Sequence, residues 1–473
     1  MRKQKGRAAH RALAAVGLVS AGLSLAGALG AAQAETVGGA LIKAYLNNPD
    51  INAQRAQVRS ADENVPKANA GYLPTAAANA NAGVSSEFGQ DFGALQGSSF
   101  QQTSLPRGYG VTVQEQLWNG NKTFNSVREA ESSVFGQREQ LRFTEQNTLL
   151  NALTFYMNVM RDSAAVDLNK SNVEVLKEQL RQTNDRFNVG EVTRTDVAQA
   201  QAALASAEAT YLTAQSTLQG SIASYRQVIG DQPKSLAPVR PVVKLLPSTM
   251  TLAIAISQVE HPAITAALHG IDAALLTVKI NEAALYPTVG LQGSLQKSFD
   301  LGAGIPNGSK ALIGSLVGQI TIPIYDGGTS FAGIRQAKEN VSQQELTADS
   351  QRDKVRAAVV TAWSLNEIST GVVKAAKANV TANEVALAGV REEAKVGQRT
   401  TLDVLNAQQA LLQARLQLVD AEHDQVVNSY TLLSSIGRLS VKVLGLNVAE
   451  YDPRVHFEQV KTKQFGVRTP DGR

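Results

Sequence analysis

The nine residues VGEVTRTDV at 189–197 return as VGQRTTLDV at 396–404, and this duplication constrains the chain more than any other feature. Gly190 and Gly397, Asp196 and Asp403, and the helix-ending pairs Ile229-Gly230 and Ile436-Gly437 all stand 207 positions apart. Upstream, Pro49 matches Pro262 and Pro74 matches Pro287 at an offset of 213. The offset changes only between Pro74 and Trp118, so the first copy carries six extra residues there, where QDFGALQGSSFQQTSLPRG reads as a loop. Self-similarity on this scale means that both halves fold to one plan.

The first repeat spans 35–230 and the second 249–437, joined by DQPKSLAPVRPVVKLLPS at 231–248. Its four prolines and lack of periodicity predict an extended connector. Residues 438–473 follow as an extended tail. Each repeat reads as a helix (about 36–71 and 249–285), a β-hairpin (about 75–118 and 288–325), a very long helix (121–189 and 328–396), the VG turn, and a shorter helix (192–230 and 399–437). Each long helix would run roughly 100 Å at ~1.5 Å per residue. The return helix covers little over half of that, so two shorter helices are expected to stack end to end along each long one.

Heptad spacing supports this packing. Val197, Leu204, Tyr211, Leu218 and Tyr225 recur every seven residues, with Ala200, Ala207, Ala214, Ser221 and Val228 three places later. Large residues therefore face small ones across a close seam. The second copy repeats the pattern with Val404, Leu411 and Leu418, and adds a parallel stripe of Leu405, Leu412, Val419, Val426 and Leu433. Two stripes imply neighbours on both sides, as in a ring of helices; a simple antiparallel coiled coil needs only one.

The hairpin segments TAAANANAGVSS, GYGVTVQEQLW, TVGLQGSLQKSF and ALIGSLVGQITIPIY alternate small or apolar with polar residues over about ten positions, the period and length of a transmembrane barrel strand. In the last, Leu312, Leu316, Ile320, Ile322 and Ile324 share one face, opposite Ser315, Gln319 and Thr321. Four strands cannot close a barrel, and an open edge facing lipid leaves backbone groups unpaired, so oligomerisation is required. Trp118 and Tyr325 lie at matched strand ends, where membrane-interface aromatics belong.

The first eleven residues, MRKQKGRAAHR, carry five Lys/Arg, followed by an apolar run and the A-x-A site Ala32, Gln33, Ala34; residues 1–34 read as a secretory signal peptide. Removing five positive charges from the formal +4 leaves −1, so the mature chain offers no argument for nucleic acid. No further stretch reads as the ~20 apolar residues of a spanning helix. The absence of cysteine excludes disulfides and thiolate chemistry. GIPNGSK at 304–310 lacks the order of a phosphate loop and reads as a hairpin loop, and no catalytic motif occurs, so no enzyme, cofactor or metal site is expected.

The duplicated plan resembles the TolC family of outer-membrane efflux and type I secretion ducts. NPDI and HPAI, YLPT and LYPT, LWNG and YDGG, and FNVGEVTRTDV and AKVGQRTTLDV carry the likeness across essentially the whole mature chain, including the tail YDPRVHFEQVK. The resemblance implies a mainly α fold with a transmembrane β-barrel portion: a homotrimer in the outer membrane, with a shared 12-stranded barrel and an α-barrel tunnel through the periplasm. It also implies passive passage, an equatorial tail, and two partners, a periplasmic adaptor and an inner-membrane pump. A periplasmic coiled-coil adaptor or scaffold without a pore is the alternative.

The VG turns have a local explanation of their own. Gly190 and Gly397 suit the left-handed position ending a long helix, and Thr193 and Thr400 suit N-caps with Asp196 and Asp403 three residues on. By resemblance, Asp403 would belong to an acidic ring at the closed tip, and Arg399 would pair with Asp196 across helices. The resemblance also makes Val189, Gly190, Thr193, Val396, Gly397 and Thr400 the tips that meet the adaptor. Two departures, Ala394 and Asn406, imply fewer latches and weaker cation selectivity than the full family pattern.

Overall fold

The computed structural model describes residues 34–91, 98–300 and 308–472; the expected leader falls, but for Ala34, outside them. The first repeat opens with α1 (Val37–Asn47), α2 (Pro49–Asp62), α3 (Asn64–Asn69) and a 3-10 turn at Ala70–Tyr72. The single helix expected over 36–71 is therefore broken. Proline lacks the N–H that would continue α1, and the Asn48 side chain caps the new start by accepting from the Asp50 N–H at 2.8 Å. The second repeat breaks at the matching place: α6 (Met250–Glu260) ends and α7 (Pro262–Glu282) begins beside His261, whose Nδ1 accepts from the Ala263 N–H at 3.3 Å.

The other helices of the two repeats are longer. The long α4 (Lys122–Asn188) and α8 (Thr329–Lys395) have 67 residues each, and α5 (Arg194–Ile229) and α9 (Thr401–Ser435) return from them. α5 packs on α4, α9 packs on both α8 and α4, and α7 bridges α4 and α8 nearer the sheet. The lateral order is thus α5, α4, α9, α8. Accordingly α9 buries both its stripes, with Val404, Leu405, Leu411, Leu412, Val426 and Leu433 all below a tenth exposed. α5 buries only Ala200, Ala207, Tyr225 and Ile229, and Leu212 is 63% exposed.

Around the helix breaks lies the main core, where Leu41, Tyr45, Leu149, Tyr156, Tyr225, Ile264 and Leu433 meet. The Tyr156 hydroxyl sits 2.7 Å from the carbonyl oxygens of both Glu35 and Ala237, tying the start of α1 to the connector. The connector also holds a 3-10 turn at Val243–Leu245. The tail is not wholly extended: α10 (Pro453–Val460) packs on α2, and His456 Nδ1 lies 2.9 Å from the fully buried Asp62 carboxylate.

By length and composition Met250–Leu285 could cross a membrane, contrary to the sequence reading. It is the second copy of α2 and its neighbours, however, and packs along α8 and α4.

The strands are β1 (Thr75–Ala82), β2 (Ser85–Asp91), β3 (Ser98–Ser104), β4 (Arg107–Trp118), β5 (Thr288–Phe299) and β6 (Lys310–Thr321). An antiparallel sheet runs β1-β4-β5-β6, so β1 and β6 are its open edges. The region read as a loop carries a second hairpin, β2 with β3, which extends the β1–β4 pair away from the helices. Weak alternation in SSEFGQD and SSFQQTS hides it in the sequence. Ile322 and Ile324 lie just beyond β6, and residues 304–307 of the expected loop fall outside the described residues.

Candidate gate and membrane band

The register sorts the sheet into two faces. Ala78, Val111, Leu295 and Gly314 are aligned across the four strands, as are Ala76, Val113, Gly293 and Leu316. Because neighbours across a sheet share a face and side chains two residues apart along a strand point the same way, these rows belong to one largely apolar surface. Leu312, Leu316 and Ile320 on it are 67%, 74% and 66% exposed. The opposite surface presents Thr112, Gln114, Gln292, Ser294, Ser315 and Gln319. Glu115 and Lys297 interrupt the apolar face, each within a few residues of a strand end.

Aromatic rings bound that face at both levels. Trp118, at the helix-proximal end of β4, meets the Tyr286 ring edge-on at 6.4 Å, and Tyr325 is 83% exposed beyond β6. At the far end Tyr109 and Phe299 lie 6.4 Å apart, with the Arg107 guanidinium 5.7 Å over the Phe299 ring. Nine residues separate Tyr109 from Trp118 along β4, about 30 Å of strand, or roughly 23 Å of height at a barrel-like tilt. That is close to the ~25 Å apolar band of outer-membrane barrels. The far girdle and Tyr286 were not read from the sequence because lone aromatics carry no period.

The opposite end of the molecule carries the two tips. Gly190 and Gly397 have φ of +80° and +79°, the left-handed conformation that ends a helix. The Glu191 N–H donates to the Arg186 carbonyl at 2.9 Å, and the Gln398 N–H to the Glu393 carbonyl at 3.0 Å. Each return helix then starts with a reciprocal cap. The Asp196 N–H donates to Thr193 Oγ1 and the Thr193 N–H to Asp196 Oδ2; Thr400 and Asp403 repeat both bonds. Val189 and Val396 project beyond, each 71% exposed.

These caps fix the acids as anions. The Thr400 N–H and then its hydroxyl hold the Asp403 carboxyl below the ordinary range, and the Thr193 hydroxyl and N–H do the same for Asp196. Arg399 does not reach Asp196 within the chain. Its Nε donates to Glu393 Oε2 at 2.9 Å, closing the turn on itself, and the ion pair raises its pKa further. In the first copy Arg186 Nε donates to Glu191 Oε2 at 3.0 Å. Positions 186 and 393 are equivalent and carry opposite charges, and each pairs across its turn with a partner one position different, Glu191 in the first copy and Arg399 in the second. Only a comparison of Arg186 with Glu393 could have found this in the sequence.

Among the described residues no group of His, Asp or Glu is placed to hold a metal ion. The arrangement is that of a conduit: an apolar band at one end, capped acidic tips at the other, and long helices between.

The model of the family described as "Outer membrane efflux protein" matches residues 40–231 and 254–438, the two repeats. The chain is 42% identical to the outer membrane efflux protein BepC of Brucella suis over 460 residues, covering 96% of this chain and 98% of that one. It is 24% identical to the outer membrane protein TolC of Escherichia coli, covering 91% and 88% of the two chains. Among solved structures, the CmeC outer membrane channel of Campylobacter jejuni superposes with a TM-score of 0.74 at 16% identity, over 90% of this chain and 89% of that one. With both repeats covered by the family model and a 42% identical relative matched along nearly the whole length, the chain belongs to the outer membrane efflux protein family.

Proposed function

We propose that the chain is the outer-membrane duct of a tripartite efflux pump or type I secretion system, formed by three copies, with a gate at its periplasmic tip. The single observation that carries this reading is that sheet and helix layer stop at matching open edges. β1 and β6 end the sheet, and α5 and α8 end the helix row. An apolar sheet face is stable in lipid only if those edges close, and a heterologous contact repeated around an axis closes them. Three copies give twelve strands, enough to surround a polar lumen.

Repeat symmetry names the joining contact. Within the chain Gln408 donates to Asn172 at 3.3 Å, joining α9 to α4. The equivalent residues, Gln201 on α5 and Asn379 on α8, are exposed. Across a subunit boundary they remake the same amide pair.

Passage through the duct is passive, and its drive comes from an inner-membrane pump reached through an adaptor. The adaptor alternative for this chain is not favoured, because the family, the apolar band and the open sheet all belong to a membrane channel. At the tips, three copies of Asp403 face a common axis and attract cations, since like charges in a narrow throat add their potentials. Val189, Gly190 and Thr193, with Val396, Gly397 and Thr400, form the surface for the adaptor. Reconstitution into planar bilayers tests the duct: stable single-channel steps are expected, and a folded oligomer that never conducts, even with Arg399 replaced, would overturn it.

A further inference from the structure

A cleft of about 1250 Å³ opens beside the helix breaks, between α4, the connector and the start of the tail. It exceeds the roughly 300–1,000 Å³ typical of small-molecule pockets. Its walls contain polar atoms the protein leaves without partners. Gln146 is 3% exposed; its Nε2 is used on the Gly437 carbonyl, while its Oε1 is buried with no donor. The Tyr451 hydroxyl is likewise buried without a hydrogen bond, whereas the Arg138 guanidinium is held by Asp62 at 3.8 Å and by the Phe457 ring. Buried orphans of this kind are rare in folded proteins and point to a missing partner.

The cleft is lined by six Lys/Arg and five Asp/Glu, and most of the acids are already held by partners. Glu139 is neutralised by Arg142 at 2.7 Å, and Glu260 by a bidentate contact with Arg438. Asp452 accepts from the Arg454 N–H as the cap of α10. Glu450 remains on one wall, and Glu145 lies 3.9 Å from Arg55. Against them stand Lys244 from the connector and Lys442 and Arg454 from the tail, all exposed and without an ion pair among the described residues.

We propose that this cleft binds an acidic peptide segment of a protein partner. Side-chain carboxylates would lie on Lys244, Lys442 and Arg454, and a backbone N–H would satisfy Gln146 Oε1. A peptide supplies both the anions and the donor that the walls require, whereas phosphate or an anionic glycan without amides supplies only the first. The inference does not depend on the duct reading, since the cleft lies far from both tip and lumen-facing strands.

The test is fluorescence anisotropy of a labelled hexapeptide, alternating Glu and Ala with blocked ends, against the purified full-length oligomer. Micromolar binding is expected, weakened at least tenfold by Lys442→Glu or Lys244→Glu and by N-methylation of the peptide backbone, with unchanged single-channel conductance. The methylated peptide tests the Gln146 contact without touching the fold. Equal binding to Lys442→Glu, or polyphosphate binding as tightly as the peptide with no effect of N-methylation, would overturn the proposal. Loss of conductance with intact peptide binding would instead overturn the duct reading alone.

Discussion

Arg399 and Glu393 close the second tip turn with an ion pair of 2.9 Å, where the first copy closes the same turn with Arg186 and Glu191 at 3.0 Å. Both pairs are solvated, so each contributes little to folding and can exchange partners at small cost. If the tips converge in the oligomer, Arg399 is expected to exchange Glu393 for an acid of a neighbouring tip.

That exchange sets the first prediction. Arg399→Ala should raise single-channel conductance and antibiotic leakage by severalfold, whereas Glu393→Ala should leave the closed state intact or tighten it by freeing Arg399. Equal effects of the two variants, or none, would count against a latch at Arg399 and leave the pair as a turn clasp.

Asp403 carries a permanent charge because its folded pKa lies below the ordinary carboxylate value. Asp403→Asn should reduce block by divalent and trivalent cations added on the tip side by tenfold or more. The same substitution at Asp196 should do less, and that difference separates an axial ring from a general surface charge.

The Thr caps are expected to matter for stability rather than conduction. Thr193→Ala or Thr400→Ala should each cost about 1 kcal/mol, read from thermal melts of the helical signal, with conductance unchanged.

Gly190 and Gly397 have open space where a Cβ would stand, so their requirement within the chain is conformational. Asn tolerates the left-handed region and adds bulk. Gly190→Asn with Gly397→Asn should therefore preserve the fold while abolishing adaptor crosslinking at the tips; retained crosslinking would remove these glycines from the docking surface.

Burial pushes the Glu145 carboxyl up to about 7, with Arg55 drawing it back and Glu450 adding to the rise. The folded chain thus holds a proton that the unfolded chain releases above about 4.5. The resulting stability is full below that pH and is lost as pH rises through 7, of order 3 kcal/mol in all. His261 runs the other way: burial lowers it to about 4, so its contribution is present above 6.5 and falls away in acid. Melting midpoints of wild type and Glu145→Gln compared from pH 5 to 8 isolate the first effect, and parallel curves would refute it.

Much of this architecture was legible because it rests on local chemistry. Gly190, Thr193 and Asp196 state a stop, a cap and a capping partner within seven residues, and their copies repeat the statement. The breaks before Pro49 and Pro262 were marked by Asn48 and His261, side chains able to cap the helix that each proline begins. The β2–β3 hairpin lacked a clear alternation. The Arg399–Glu393 contact crosses a turn, and the family resemblance implies Asp196 as the partner instead. The cleft unites residues near 138, 244, 442 and 454, and no sequence pattern brings such positions together.

Closure by three copies is directly measurable, because the sequence contains no native cysteine. Gln201→Cys combined with Asn379→Cys, oxidised in the outer membrane and run without reductant, should yield covalent trimers and no higher species. Monomers alone, or a ladder continuing past three, would contradict the closed duct.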